Sequence, residues 1–486
     1  MACTTILVGK KASYDGSTLI ARNDDGGFEP KRVVIITPDK QKKNYKSKIG
    51  HLEIELPDNP LKYSAIPSVN LEHGFWSAAG INSANVSMTA TETITSNPRV
   101  LGADPYVYYE KAKTKKEKDK IGGIGEEDLI TITLPYIKTA REGVARVAEL
   151  LEKYGTYEPN GMAFSDEIEI WWLETIGGHH YIARKVKDDE VVIMPNQFGL
   201  DKFDLEDAFG AQKENICSKD LREFIKDNHL DLNTDGVFNP RYVFGSHDDS
   251  DHIYNTPRAW FMMKYFLPTK YSYLGENSDF NPESDNLLWS FVPEKKVTVE
   301  DIKYVLSSYY QGTPYNPYGK DQMNKGKYRV IGVPNSDDSA ILQVRGYEVD
   351  ELKGVEWISL GGSGFTGSFA FYTNVNELPA YLSNTPKLPS TEYFYWQSRF
   401  LASLTDAHYF SAIIYSERYR NKVFNKSREI LNEYDKLFKE KKDLKLLEEA
   451  NKKIIEFVKE ETSKTLNSLL LNAGEKMKTR YHRGDN

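Results

Sequence analysis

Two short β-type runs on either side of a turn constrain this chain most. Thr4-Thr5-Ile6-Leu7-Val8-Gly9 and Thr18-Leu19-Ile20-Ala21-Arg22-Asn23 flank Asp15-Gly16-Ser17. Asp, Gly and Ser together favour chain reversal, so the pair reads as a β-hairpin whose first strand is buried. Val33-Val34-Ile35-Ile36-Thr37 continues the β-branched pattern, and Val86-Ser87-Met88-Thr89-Ala90-Thr91 alternates apolar and polar positions next to Gly80-Ile81-Asn82. The first 100 residues are therefore predicted to be strands and turns.

Helical patterning follows. Glu126-Glu127-Asp128 places negative charge where a helix would begin, and Ile137, Val144, Val147 and Leu151 form an apolar stripe that stops near Gly155, giving one or two amphipathic helices. Strands return at residues 169–175, 180–186 and 191–194, the first two separated by Gly177-Gly178. Residues 199–256 read as a mobile polar middle, after which Thr256-Pro257-Arg258 opens a helix. Two more strands are predicted at 340–345 and 354–360, ahead of Gly361-Gly362-Ser363-Gly364. From Tyr419 to Thr479, Lys, Glu and Leu recur with helical spacing, as in Ile430, Leu431, Tyr434, Leu437 and Ile454, Ile455, Val458.

The 63 Lys and Arg against 71 Asp and Glu leave a net charge of −8, which offers no electrostatic case for nucleic acid or an anionic membrane as partner. No signal-peptide pattern opens the chain and no run of about 18 apolar residues occurs, so the expected location is cytoplasmic. Two cysteines, Cys3 and Cys217, cannot build a disulfide framework and fit a reducing compartment.

Several routes to chemistry are absent. There is no CxxC pair, no H-E-x-x-H, no Walker loop and no G-x-S-x-G elbow, so zinc sites, phosphate cradles and the α/β-hydrolase triad have no support. In Ser246-His247-Asp248-Asp249-Ser250-Asp251-His252, a calcium loop counted from Asp249 would put Ile253 at its fifth position and lacks the Gly of the sharp turn. No metal and no cofactor are expected. His179 and His180 fall together on a predicted strand, whose alternation would send them to opposite faces. What remains is Cys3. With Met1 and Ala2 removed, this residue offers a thiol nucleophile and an α-amine of reference pKa about 7.7–8.0 that can take the thiol's proton. Arg22, at the end of the next strand, would lower the thiol's pKa, and a carboxylate of Asp24-Asp25 would hold the amine. On the residues alone, a packed free cysteine and a surface ion pair stay open as the ordinary alternatives.

The opening from Met1 to Asp25 resembles the C69 family of dipeptidases, of the dipeptidase A type of lactic acid bacteria. The likeness continues through Ala79-Gly80-Ile81-Asn82 with Ala90-Thr91-Glu92-Thr93, residues 99–105, Gly125-Glu126-Glu127-Asp128, residues 139–143, Trp172–Gly178, Pro195-Asn196-Gln197-Phe198 and Asn255–Trp260. The charged run 111–120 falls between these blocks as an insertion.

The resemblance implies the N-terminal nucleophile hydrolase fold, an α+β four-layer αββα sandwich of antiparallel sheets. It would occupy residues 1–415, with a charged surface insertion at about 110–123 and a helical region at 416–486 packed on the same unit. Wider kinship is to the choloylglycine hydrolase and penicillin V acylase group, whose N-terminal Cys is supported by an Arg, an Asp, an Asn and a second Arg. By motif, Cys3, Arg22 and Asp25 take the first three roles, and Asn196 and Arg258 the last two. Glu92 stands where the acylases place an oxyanion Asn, with Asn82 nearby, and Glu92 or Glu174 is expected to receive a substrate ammonium. The expected activity is a cysteine-type dipeptidase forming a thioester acyl-enzyme, self-processed to free Cys3, acting on dipeptides and assembled as a homo-oligomer. The alternatives are another linear-amide hydrolase of the acylase type, a non-catalytic binding relative, and, least, a metallopeptidase.

Overall fold

A computed structural model describes residues 3–477. The expectations for Met1-Ala2 and for 478–479 lie outside these residues. In chain order the principal strands are β1 (Thr4–Val8), β2 (Thr18–Asp24), β3 (Ala79–Ile81), β4 (Ser87–Thr93), β5 (Asn160–Ser165) and β6 (Ile170–Ile176). They continue with β7 (His180–Val186), β8 (Val191–Met194), β9 (Asn215–Cys217), β10 (Ser290–Phe291), β11 (Asp338–Val344), β12 (Gly354–Leu360) and β13 (Phe369–Tyr372). A seven-stranded sheet runs β10-β8-β1-β2-β11-β12-β13 and a six-stranded sheet runs β9-β7-β6-β5-β4-β3. Neighbouring strands pair antiparallel, and the hairpin is β1–β2 with Thr5 opposite Arg22.

The sheets stack face to face, β2 and β11 packing on β3, β4 and β5. Helices α1 (Glu126–Thr133) and α2 (Ala140–Tyr154) cover the outer face of the six-stranded sheet. The outer face of the other is covered by α3 (Thr256–Phe266), α4 (Val299–Leu306), α5 (Phe394–Ala407), α6 (Tyr409–Lys441) and α7 (Lys445–Gly474). This is the four-layer αββα arrangement. Because both faces of each sheet are covered, β1, β2, β6, β11 and β12 bury every residue, the polar ones such as Arg22, Asp24 and Glu174 included.

The helix limits follow local chemistry. Thr139 caps α2 by accepting from Glu142 N at 3.1 Å, and Gly155 ends it at φ 65°, a left-handed conformation that Gly adopts without strain. Pro257 sits in the first turn of α3. Helix α6 is continuous across residues 415 and 416, packs on β13, and sends Asp435 to Arg345 through two bonds of 2.6 and 3.0 Å.

Some expectations require correction. β5 and β13 carry weak local marks: Asn-Gly-Met-Ala-Phe-Ser has no β-branched residue and contains Gly, and Phe-Ala-Phe-Tyr, though aromatic, is only four residues long. The middle expected to be mobile and polar holds helices at Leu205–Phe209, Leu221–Asp227, Pro240–Phe244 and Asp251–Tyr254. His179 lies in the turn before β7, outside strand alternation, so both rings reach Asp104: Nδ1 of His179 and of His180 lie 2.8 and 2.7 Å from its two oxygens.

Candidate active site

Extending the register Thr4 opposite Asn23 by one step sets Cys3 beside Asp24. Alternation then turns Cys3, Thr5, Arg22 and Asp24 toward the six-stranded sheet, and Thr4 and Asn23 toward the helices. The contacts agree. Thr5 Oγ1 donates to Glu92 Oε2 on β4 at 2.7 Å, whereas Asn23 Nδ2 donates to the Leu306 carbonyl of α4 at 2.7 Å and Thr4 Oγ1 accepts from Arg258 of α3 at 2.8 Å.

Arg22 is the hub of the thiol side. Its Nη2 lies 2.6 Å from Cys3 Sγ, 3.1 Å from Glu126 Oε1 at the start of α1, and 3.6 Å from Asp24 Oδ1. Asp24 Oδ1 is 4.0 Å from Sγ, and its Oδ2 receives Lys31 Nζ at 2.8 Å. Cys3 Sγ, Asp24 and Glu126 together have the donor atoms and spacing of a metal site. The Arg22 guanidinium stands among all three, so the place of a cation is already taken.

Arg258 governs the backbone side of the same residue. It donates through Nη1 to the Cys3 carbonyl, and through Nη2 to Asn196 Oδ1 at 2.8 Å and Asn255 Oδ1 at 2.7 Å. Asn196 is half-buried and uses one N–H of Nδ2 on the Thr93 carbonyl at 3.0 Å, which leaves a second N–H for another acceptor. Asp25, just beyond β2, turns away from Asp24 and pairs its Oδ2 with Arg329 Nη2 at 2.6 Å, while Oδ1 is buried without a partner.

Burial dominates the electrostatics. It pushes the Cys3 thiol well above its ordinary value; Arg22 opposes this, and Asp24, Glu126 and Glu92 add to it. The sulfur is therefore a thiol that needs a base, with a guanidinium waiting for the thiolate. Burial also raises Glu92 to about 7 against Arg258 and Arg22, raises Asp25 against Arg329, and lowers Arg258 to about 10 with Arg329 adding to the effect. For Asp24 burial acts the same way, but Lys31 and Arg22 outweigh it and hold the carboxyl below its usual range.

Asn82 is not part of this cluster. Its Nδ2 donates to the Leu134 and Ile137 carbonyls at 2.8 Å each and its Oδ1 accepts from Ala84 N and Val86 N, so the side chain is committed to a turn. That turn pairs with the Ser87 end of β4, roughly 17 Å along the strand from Glu92. Glu174 lies on the Glu92 face of the sheet, both opposite Gly161, but about 10 Å across it. Its Oε1 accepts from Trp172 Nε1 at 3.0 Å, Gly199 N at 2.7 Å and Leu200 N at 3.3 Å, which anchors the loop carrying Asn196. The other oxygen of Glu174, Oε2, is buried without a hydrogen-bond partner among the described residues.

Glu126 and Lys31 were missed from the sequence, which offered Asp24 only as one of two adjacent carboxylates and assigned the role to Asp25 by resemblance. Asp24 shares a strand face with Arg22 two residues away, a signal that alternation offers. Glu126 reads as ordinary helix-start charge, and Lys31 carries no local mark at all. A cavity of about 350 Å³ adjoins the thiol side, lined by Asp24, Lys31, Glu29, His73, Trp76 and Asp337 among others.

The comparisons with known proteins cover the whole of this site. The profile of Peptidase family C69 matches residues 2–422. A protein named dipeptidase from Bifidobacterium longum is 53% identical over 430 residues, 87% of this chain and 80% of its own. Probable dipeptidase A of Streptococcus pyogenes is 45% identical over 100% of both chains, and dipeptidase A of Lactobacillus helveticus 40% identical over 96% of each. Among solved structures, a variant of conjugated bile acid hydrolase from Clostridium perfringens covers 76% of this chain and 92% of its own at 11% identity, but its TM-score of 0.28 is too slight to carry an argument. A profile match over most of the length, with relatives at this identity, settles the lineage: the chain belongs to peptidase family C69.

Proposed function

We propose that this protein is a dipeptidase that cleaves dipeptides with Cys3 as its nucleophile. The observation that carries the reading is the Arg22 guanidinium 2.6 Å from Cys3 Sγ, with Arg258 holding the carbonyl of the same residue. The relatives named dipeptidase support the choice of substrate.

The thiol of Cys3 attacks the peptide carbonyl while the α-amine of Cys3 takes the thiol proton, and the amine returns that proton to the departing amino group. Water then hydrolyses the thioester. Arg22 stabilises the thiolate as it forms, which burial otherwise opposes. The free N–H of Asn196, held by Arg258, stabilises the oxyanion, a contribution of about 10²–10³ in rate in comparable sites. Asp25, set between Arg329 and Arg258, orients the amine. The amine becomes available when the bond before Cys3 is cleaved: Sγ attacks the preceding carbonyl, the C–N bond breaks to leave a thioester and a free α-amine, and water resolves the thioester. The compartment we propose is the cytoplasm; among the described residues no helix is long and apolar enough to cross a membrane.

N-terminal sequencing and intact mass, measured on the same sample as dipeptide hydrolysis, test this. Active protein should begin at Cys3, and dipeptides with free termini should be cleaved far better than N-acetylated ones. Full activity in protein that retains residues before Cys3 removes the amine from the mechanism. Equal turnover of the N-acetylated substrate turns the reading toward an acylase.

A further inference from the structure

We infer that Asp24 receives the α-ammonium of the dipeptide's first residue, and that the cavity beside it takes that residue's side chain. The inference rests on Cys3 being the nucleophile. Once Sγ bonds the carbonyl carbon, the α-nitrogen is two further bonds away, which places it roughly 3–4 Å from sulfur. A carboxylate oxygen that accepts from it at about 2.8 Å must then lie within roughly 6 Å of Sγ. Asp24 Oδ1 does so, at 4.0 Å.

That oxygen is also available. Lys31 occupies Oδ2, while among the described residues Oδ1 has only the weak S–H donor of Cys3 and Arg22 at 3.6 Å, beyond hydrogen-bonding distance. Forming the thioester removes the S–H, and an ammonium replaces it. A second observation points the same way. Asp338, opposite Asp24 in the β2–β11 register, is 1% exposed and has no hydrogen-bond partner for either carboxyl oxygen. Asp337, next to it, lines the cavity. Arg399 pairs with Asp337, so the carboxyl left without a donor is that of Asp338, a deficit that a substrate ammonium nearby relieves. Asp24 also lines the cavity, so an ammonium held there directs the first residue's side chain into that space, against Trp76. Of the other acids, Glu126 also lies within 4.8 Å of Sγ, but its Oε1 takes Arg22 Nη2 at 3.1 Å; among the described residues Glu92 and Glu174 each keep one oxygen without a hydrogen-bond partner, the other engaging Thr5 and the loop at 199–200 respectively.

The test compares kcat/KM for alanyl-alanine and for propionyl-alanine, which differ only in the ammonium. Wild type should favour the dipeptide at least about 100-fold, in line with a charge-assisted bond. Asp24→Asn should reduce that preference to about fivefold or less, whereas Glu92→Gln and Glu174→Gln should keep it within about threefold of wild type. A preference intact in Asp24→Asn, or lost in Glu92→Gln instead, overturns the assignment. Because Asp24→Asn also disturbs a buried ion pair, wild-type Cys3 should in addition be alkylated with 2-bromoethylammonium and with 1-bromopropane, sulfur displacing bromide in both. Relative to free cysteine, the cation should gain at least about tenfold, and no gain overturns the role of Asp24. Wild-type hydrolysis by Cys3→Ala would instead defeat the nucleophile. Loss of hydrolysis in Cys3→Ala with an unchanged preference in Asp24→Asn would defeat Asp24 alone.

Discussion

Cys3 and Cys217 are both buried thiols, and burial treats them alike. Cys217, on β9 at the edge of the six-stranded sheet, is pushed up to about 12 by burial, with Arg222 opposing it and Asp220 adding to it. Cys3 is pushed up as well, yet its sulfur touches a guanidinium and its carbonyl another. What separates a packed cysteine from a candidate nucleophile is therefore the charge in contact with it, since burial alone makes a thiol inert.

The largest effect expected tests that contrast directly. Cys3→Ala should lower dipeptide turnover by at least about 10⁴-fold with an unchanged circular dichroism spectrum, because it removes the attacking atom and little packing. A similar loss in Cys217→Ala would erase the contrast. The next probes the charges. Arg22→Ala leaves Asp24 and Glu126 buried without the guanidinium they share, and urea unfolding should show a loss of about 3–5 kcal/mol. Arg222→Ala, beside Cys217, removes a surface pair with Glu206 and should change stability by less than about 1 kcal/mol. Equal losses would mean that the Arg22 network is no more than surface charge.

A smaller effect appears with pH. Burial raises Glu92 from 4.5 to about 7, so the folded state binds its proton more tightly than the unfolded chain. Its contribution is fully present below pH 4.5 and lost as pH rises through 7, a change of about 2–4 kcal/mol. Urea midpoints measured from pH 5 to 8 should fall in wild type, and Glu92→Gln should flatten the slope by that amount. An unchanged slope would place the titration elsewhere. The smallest effect is that of Cys217→Ala itself, with turnover within twofold of wild type and a stability loss of about 1 kcal/mol from the lost packing.

Much of the frame was legible because its causes are local. The β1–β2 hairpin follows from two apolar runs around Asp-Gly-Ser, α2 ends where Gly155 allows a left-handed residue, and Pro257 opens α3. The hairpin was enough to bring Arg22 near Cys3. Asn196 and Arg258 came from the family resemblance alone, because no local pattern marks them. β5 was invisible for a tertiary reason: a side chain at Gly161 would come within 2.4 Å of Trp172, so the strand carries Gly where propensity would ask for a β-branched residue.

The sequence by itself determined the β1–β2 hairpin, the end of α2 and the start of α3, and a thiol placed at the head of a buried strand, since propensity and alternation act over a few neighbouring residues. Tertiary structure decided which charges surround that thiol. Asp24 rather than Asp25 faces sulfur, Glu126 joins Arg22 across 104 residues and Arg258 reaches Cys3 across 255. Buried charges must find compensating partners wherever the packed layers bring them together, and the chain's local pattern contains no record of where that will be.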